Sequence, residues 1–469
     1  MSEDFGWLGE QQVNALIKRF ETMLKAGMQY FFDVDEFEAI IEYYFETNDI
    51  KMTGQAIEQA LLQHPSHNSF KIAEARVLTF EKKYDKALEL LGHIELIEPA
   101  NDEIYLSKGE IYSLISKHAL AIEEYKKSIP YSEHPEDIYA NIAFEYENLN
   151  DYPGTIKYLK MALDIKPDSE NLIHEIAFFF EITGREEEAI VFFDEFLEKN
   201  PYSKVAWFNL GIFYNTLELY EKAIEAYEYT LAIDESFSSA YFNIANSYSG
   251  LNMFKTAIKY YVETFNFEAP EAITYYYIGE SYENMDDLES AMENFNRAIE
   301  LDERMAEAWA GKGRLLVKQD QSKMAIKYYL QAIQHMPMNE EFKYDLAIIY
   351  LKSSRFEEAE KLFEEIVDHD PHFIEAWINF SVCKSLSDGL DKAIKVIQQA
   401  LEKNQEEASL WYRLAAYFYK SSQVQLAYFY IEKALKQDFE KHEELIDYLP
   451  DLLADTRFVE LLGIFKDAH

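Results

Sequence analysis

The sequence predicts an all-α fold, a right-handed α-solenoid (superhelix) of antiparallel helix hairpins with capping helices at both ends. The first observation is periodicity: steps of 34 residues from Ile57 to Ile431 meet an apolar residue at all twelve positions. Repeats of this length build arrays in which each unit buries its apolar face only against its neighbours. Glycine and proline are also scarce, with 15 and 11 among 469 residues, and six of the prolines recur at one point of the period. Proline at a fixed place marks the end of a helix in each unit.

Small residues recur at two further points of the period. We number the places of one repeat from 1 to 34, so that the first repeat starts at Val34 and Trp207 is place 4. Place 8 is small in eleven of twelve repeats and place 20 is alanine in ten, whereas place 11 is aromatic in nine. Two helices approach closely only where neither carries a bulky side chain, and large neighbours then fill the grooves around that contact. Each repeat is therefore predicted to be helix, short turn, helix, short turn.

One copy of the repeat carries a family resemblance. Its residues are Trp207-Phe208-Asn209-Leu210-Gly211-Ile212-Phe213-Tyr214, followed by Ala223, Tyr227 and Leu231. This pattern resembles the tetratricopeptide repeat (TPR), whose consensus has Trp, Leu-Gly, Tyr, Ala, an aromatic residue, Ala and Pro. The resemblance implies helix hairpins stacked into a superhelix with a concave groove, and it implies no particular partner.

The period also sets the expected domain boundaries. Residues 1–33 are predicted to be an N-terminal tail and capping helix, residues 34–441 an array of twelve repeats, and residues 442–469 C-terminal capping helices. The first cap is predicted from apolar residues on one face of an amphipathic helix: Val13, Leu16, Ile17, Phe20, Met23 and Leu24. Caps cover the apolar faces that the terminal repeats leave open.

The charge and composition exclude several partners. A net charge of −42 disfavours nucleic acid and anionic lipid, because both require an excess of Lys and Arg. No window of 18 uninterrupted apolar residues exists, so membrane insertion is not expected. The single cysteine, Cys383, cannot form an internal disulfide and is expected to be a buried, inert thiol. The start of the chain lacks the basic and apolar regions of a secretory signal, so a cytoplasmic location is expected.

The sequence contains no recognisable catalytic motif. Gly-rich phosphate loops, GxSxG, HExxH and CxxC are all missing, and the regions outside the array are too short for a catalytic domain. Two histidine pairs flank Pro65 and Pro371, but neither has the further ligands that a metal site needs. We therefore expect neither an enzyme nor a cofactor.

Candidate binding residues come from the face that the first helices present to the groove. Place 6 carries asparagines, whose amides can both donate to and accept from an extended peptide backbone: Asn141, Asn209, Asn243 and Asn379. This resembles the asparagine ladder of some TPR proteins, although Glu175 interrupts it. Place 5 carries rings: Phe208, Phe242, Tyr276, Tyr344 and Tyr412. Place 9 adds Phe144, Phe178 and Ile212. These rings either anchor apolar side chains of a ligand or pack between neighbouring first helices.

Charge on the same face is expected to change sign along the chain. Glutamates dominate repeats one to eight, and cations dominate repeats nine to twelve: Arg314, Lys318, Lys352, Lys384, Arg413 and Lys420. A cationic end could take an acidic peptide or a terminal carboxylate, or its charges could balance nearby acids.

Together these features favour a non-enzymatic scaffold that binds a protein or peptide segment in its concave groove. One alternative is a self-assembling structural array, including a homodimer. Another is a regulatory or sensor subunit of a partner enzyme.

Overall fold

A computed structural model describes residues 10–27 and 29–466 of the chain, and this described part contains no β-strand. It falls into two compact units, divided between Glu235 and Ser236. Each unit is described by itself below.

The described residues of the first unit form thirteen helices and one 3-10 turn at Ile129–Tyr131. The helices are α1 (Glu10–Ala26), α2 (Val34–Glu46), α3 (Ile50–Gln63), α4 (Asn68–Phe80), α5 (Tyr84–Glu95), α6 (Asp102–Leu114), α7 (His118–Ser128), α8 (Pro135–Asn148), α9 (Tyr152–Ile165), α10 (Glu170–Ile182), α11 (Glu186–Lys199), α12 (Lys204–Thr216) and α13 (Tyr220–Ile233).

In the second unit, residues 236–466 form fourteen helices and 3-10 turns at Thr264–Asn266 and Pro450–Ala454. The helices are α14 (Ser238–Gly250), α15 (Phe254–Glu263), α16 (Ala272–Asn284), α17 (Leu288–Leu301), α18 (Ala306–Lys318), α19 (Ser322–His335), α20 (Glu340–Lys352), α21 (Phe356–His369), α22 (Ile374–Ser387), α23 (Leu390–Lys403), α24 (Ala408–Lys420), α25 (Val424–Gln437), α26 (His442–Tyr448) and α27 (Thr456–Lys466).

Helices α2 to α25 form twelve consecutive pairs, six in each unit, and the turn inside each pair repeats with the period. One left-handed residue closes the first helix of eleven pairs at 34-residue steps, from Asn48 (φ 56°) to Ser422 (φ 64°). The exception is the pair α22/α23, where the first helix extends through Ser387 and the left-handed residue moves one position to Gly389 (φ 93°). The all-α prediction and the repeated helix hairpin are therefore confirmed.

The small residue at place 8 makes room for the ring at place 24 of the same repeat. A Cβ atom added to Gly211 would lie 2.5 Å from Cε1 of Tyr227, and one added to Gly313 would lie 2.6 Å from Cδ2 of Tyr329. Both tyrosines are buried, as are the alanines at place 20. Close-packed interiors tolerate little added volume, so these two places fix the spacing of the hairpin.

In four repeats a tryptophan at place 4 connects the repeat to the end of the preceding one. The indole Nε1 of Trp207 donates to the carbonyl oxygen of Pro201 at 2.9 Å, and that of Trp377 donates to Pro371 at 3.0 Å. Trp309 and Trp411 make the equivalent bond at 2.9 Å. Trp377 and Trp411 are buried and Trp207 and Trp309 are half-buried, so these hydrogen bonds place the four rings in the packing between repeats.

Both ends of the array carry further helices. On α1 the side chains of Val13, Ile17, Phe20 and Met23 are buried. At the other end Leu445, Leu449, Leu452 and Phe458 are buried in or near α26 and α27. The predicted boundaries at 1–33, 34–441 and 442–469 stay a prediction, and the part of the cap prediction that concerns residues 1–9 lies outside the described residues.

Candidate protein-interaction surface

The first helices of neighbouring repeats form the inner layer of each unit. In the first unit α4 packs against α6 and α10 against α12, while in the second unit α16 packs against α18 and α22 against α24. Because these first helices contact one another as well as the second helices of their own repeats, we call the first helices the inner layer. Side chains on this layer that are still exposed are therefore the candidates for contact with a ligand.

The asparagines at place 6 do not share one environment. Asn141 is exposed, whereas Asn209 is 5% exposed and its amide nitrogen donates to the carbonyl oxygen of Val205 at 2.8 Å. Asn379 donates to the hydroxyl of Tyr344 at 2.8 Å and to its own helix. In the second unit Asn243 is half-buried and accepts from Asn246 at 3.5 Å. The amides of Asn209 and Asn379 therefore already serve the packing of the inner layer, and the asparagine ladder remains a prediction.

The rings at place 5 pack inward onto the rings at place 24 of their own repeats. The ring centroids are 5.7 Å apart for Phe208 and Tyr227, 5.4 Å for Phe242 and Tyr261, and 5.8 Å for Tyr276 and Phe295. Tyr344 makes the equivalent contact with Phe363 at 6.2 Å. These contacts join the two helices of one repeat, whereas the expected packing was between neighbouring first helices. The four rings are half-buried, and their role as anchors for a ligand remains a prediction.

Tyr412 requires a correction to the predicted row. Its side chain is 1% exposed, and its hydroxyl donates to the carbonyl oxygen of Asp438 at 2.9 Å. Because the ring is enclosed and its polar atom is satisfied, it belongs to the core of the second unit. It cannot reach a ligand in this conformation.

Arg314 and Lys318, the first two predicted cations, form ion pairs with glutamates of the preceding repeat. Arg314 at place 9 of α18 donates to Glu283 at 3.1 Å and to Glu280 at 3.4 Å, both on α16. Lys318 lies 3.2 Å from the same Glu283. The Glu280 carboxylate also accepts from the hydroxyl of Tyr276 at 2.5 Å. This network joins two neighbouring repeats, and its glutamates neutralise the positive charges that would otherwise attract an acidic ligand.

Of the four remaining predicted cations, three make internal contacts and one is exposed. Arg413 and Lys420 lie over the ring of Tyr448 in α26, at 3.8 and 3.7 Å from its centroid, and Nη1 of Arg413 is buried without a hydrogen-bond partner in the described part of the chain. Lys384 donates to Glu360 at 2.5 Å. Lys352 is exposed. The predicted cationic end is thus mostly engaged in internal contacts, and its binding role remains a prediction.

A group of exposed apolar side chains on the first helices lies at places 9 and 13 of the first unit. They are Phe80 (60% exposed), Leu114 (55%), Phe144 (55%), Phe178 (52%) and Ile182 (47%), on four successive first helices. We call these five residues the apolar row. Phe144 and Phe178 belonged to the sequence expectation, but Phe80, Leu114 and Ile182 did not. The signal that could have found them is the i, i+4 spacing of places 9 and 13, which puts both on one line of a helix.

Four exposed glutamates accompany the apolar row on α6, α8 and α10. These flanking glutamates are Glu110, Glu147, Glu175 and Glu181, and none of them makes an ion pair with another described residue. Partial removal of the carboxyl group from water and the nearby Glu147 carboxylate raise the pKa of Glu175 above its ordinary value. The surface is therefore apolar with an uncompensated negative border.

Other features of the described residues bear on chemistry. No group of three or more His, Cys, Asp or Glu side chains in this part of the chain is placed to hold a metal ion. None of the described helices combines the length and the apolar character needed to cross a membrane. The thiol of Cys383 is fully buried, and this burial raises its pKa to about 12.

Comparison with known families identifies the repeat. One tetratricopeptide repeat model matches residues 323–378 and 350–417, and a second matches residues 205–236, 238–263, 272–304 and 306–334. The four segments of the second model each match one helix pair, from α12/α13 to α18/α19, and those of the first model lie within helices α19 to α24. The chain is therefore a tetratricopeptide repeat protein.

No curated protein matches the chain. Similar solved structures include the APC/C hetero-tetramer Cut9-Hcn1, with 13% identity, coverage of 86% of this chain and 93% of that chain, and a TM-score of 0.41. YrrB, a TPR protein with an unusual peptide-binding site, is 21% identical over 39% of this chain and 95% of that chain, with a TM-score of 0.31. MamA is 23% identical over 37% of this chain and 94% of that chain, with a TM-score of 0.32.

Proposed function

We propose that this protein is a non-enzymatic scaffold that holds a segment of a partner protein on the inner layer of its first unit. The observation that carries the proposal is the apolar row. Single exposed apolar side chains are common on folded proteins, whereas a large group of them marks an interaction surface. Exposed apolar side chains also occur on second helices, such as Val191 and Phe429, but the apolar row recurs at two places of the repeat on four successive first helices.

The apolar row has enough uncovered surface to hold a peptide. A phenylalanine buries roughly 150–250 Å² when fully covered, so each half-exposed ring at Phe144 or Phe178 leaves about 100 Å² open. At about 25 cal/mol per Å², covering one such ring yields about 2.5 kcal/mol. Two rings with their aliphatic neighbours can therefore offset part of the entropy cost of ordering a short segment.

The second unit offers less at the same places. Its residues at place 9 are half-buried or buried, and two of them, Glu280 and Arg314, belong to the internal ion-pair network. Of its residues at place 13, only Leu386 is apolar and exposed. We therefore assign the primary binding surface to the first unit and treat the asparagine and cation positions of the second as secondary candidates.

The test is selection from a random peptide library displayed on phage, with the full chain as bait. Peptides enriched on the native protein should lose binding to the variant Phe144→Ser/Phe178→Ser. Replacing hot-spot rings typically costs about 2 kcal/mol or more, which corresponds to at least a roughly thirtyfold weaker Kd.

The matched control is Phe429→Ser, because Phe429 is 60% exposed but lies on α25, a second helix. This control should bind the selected peptides as the native protein does. Enrichment that is unchanged on the double variant, or no enrichment at all, would refute the proposed surface.

A further inference from the structure

The flanking glutamates indicate which kind of segment the apolar row takes. Resting on the function proposed above, we infer that the partner is a peptide segment that carries Lys or Arg side chains beside its apolar anchors. The juxtaposition that supports this is a ring at place 9 with a carboxylate at place 12, which occurs both on α8 (Phe144, Glu147) and on α10 (Phe178, Glu181).

The chain itself shows what normally neutralises a carboxylate at place 12. Glu283 occupies this place on α16, and it is bonded by Arg314 at place 9 and Lys318 at place 13 of the next repeat. In the first unit the residues at those two places, one repeat after Glu147, are Phe178 and Ile182. The positions that supply cations in the second unit are therefore apolar in the first.

No nearby helix replaces the missing cations. Helices α8 and α10 contain no Lys or Arg. On α6 the only cation is Lys108, which is buried and ion-paired with Glu95. On α4 Arg76 pairs with Glu42 at 3.2 Å and lies over the ring of Phe45. The negative border of the apolar row is therefore left for a partner to neutralise.

A second copy of the chain does not fit this surface. Each copy has a net charge of −42, so pairing two such faces would bring unpaired glutamates together. Like charges placed opposite each other across an interface are unfavourable. A cationic segment would instead pair with these glutamates. Opposite charges at the edge of an interface speed the association of the two partners and fix their register.

The test uses two fluorescein-labelled synthetic peptides that share the same Phe and Leu residues. In one peptide the polar positions are Lys, and in the other they are Glu. Fluorescence anisotropy with the full chain should give a Kd at least about tenfold lower for the Lys peptide. The preference should shrink at ~1 M salt, where the Debye length falls to about 3 Å.

The decisive variant is Glu147→Gln/Glu175→Gln, which should remove the preference for the Lys peptide while leaving the apolar row intact. Its control is Glu187→Gln/Glu198→Gln on α11, which removes the same number of charges from exposed positions of a second helix. Equal loss in both variants would show that only bulk charge matters, and the inference would be overturned.

The remaining outcomes separate the inference from the proposed function. If both peptides bind equally and Phe144→Ser/Phe178→Ser weakens both, the scaffold function stands and the basic partner is wrong. If neither peptide binds although the library yields binders, the basic partner is again wrong and the scaffold stands. If light scattering shows a dimer that the same variant abolishes, the occupant is a second copy, and the inference is overturned.

Discussion

The contact between place 8 and place 24 can be tested by the substitution Gly211→Ala. Alanine forms helices more readily than glycine, but here the added methyl group is predicted to destabilise the helix pair. The Cβ atom of Gly211→Ala would lie 2.5 Å from Cε1 and 2.7 Å from Cδ1 of Tyr227. That ring is 1% exposed, so it has no open space into which it can move. Ordinary contact requires 3.4 Å or more, so the two helices must separate by nearly 1 Å.

Two opposing effects set the magnitude. Alanine is a better helix former than glycine by about 1 kcal/mol, whereas overpacking a well-filled core costs about 1–3 kcal/mol. The net expectation for Gly211→Ala is therefore a loss of about 1 kcal/mol. Gly92 on α5 supplies the matched control, because a Cβ atom there meets nothing within 4 Å. Gly92→Ala should stabilise its helix pair by about 1 kcal/mol.

Native-state hydrogen exchange is the suitable assay, because arrays of repeats open locally rather than in one step. Amides of α12 and α13 should exchange about fivefold faster in Gly211→Ala, and those of α4 and α5 about fivefold slower in Gly92→Ala. In a Tyr227→Ala background the clash is gone, so Gly211→Ala should become stabilising and the coupling between the two sites should be about 1–3 kcal/mol. Equal shifts in the same direction for both glycines, or no coupling to Tyr227, would refute this account of the spacing.

Two further predictions concern the second unit. Arg314→Met should lower the free energy of local opening of α16 and α18 by about 1–3 kcal/mol, because Glu283 is 7% exposed and would lose its guanidinium partner. Amide hydrogen exchange in these two helices should become correspondingly faster. Adding Glu283→Gln should restore most of that loss, and a failure to do so would show that the network is not what couples these helices. The folded protein should resist maleimide labelling of Cys383 at neutral pH, because its thiol is buried and its pKa is raised to about 12. Intact-mass spectrometry should detect the adduct only after denaturation, and rapid labelling of the native chain would contradict the burial.

The fold followed from the sequence because the repeat constrains the same contact many times. Places 8, 20 and 24 carry the signal in almost every copy, and one copy that departs from the pattern does not hide it. The structure shows a departure that the sequence pattern did not reveal: the first helix of the pair α22/α23 continues one residue further before Gly389. Glycine adopts this left-handed conformation without strain, so the turn can shift without changing the 34-residue period.

The candidate binding surface was less predictable, because helical spacing gives the direction of a side chain but not the contacts that its neighbours make. Place 5 faces the inner layer, yet its rings turn onto place 24, as Tyr276 does onto Phe295. Place 9 also faces the inner layer, and there Phe178 is half exposed while Arg314 is held by two glutamates. These outcomes depend on contacts between successive repeats, which a count of residues within one repeat does not contain.

Places 9, 12 and 13 of the repeat have different roles in the two units. In the second unit, charged side chains at these places form ion pairs between neighbouring repeats, in which Glu283 is neutralised by Arg314 and Lys318. In the first unit, place 12 keeps its glutamate at Glu147, but the following places 9 and 13 carry Phe178 and Ile182. An exposed ring keeps apolar surface in contact with water, and the like charges of Glu147 and Glu175 act against each other. A single basic, apolar segment would relieve both at once, which is why we propose that a partner segment covers this surface.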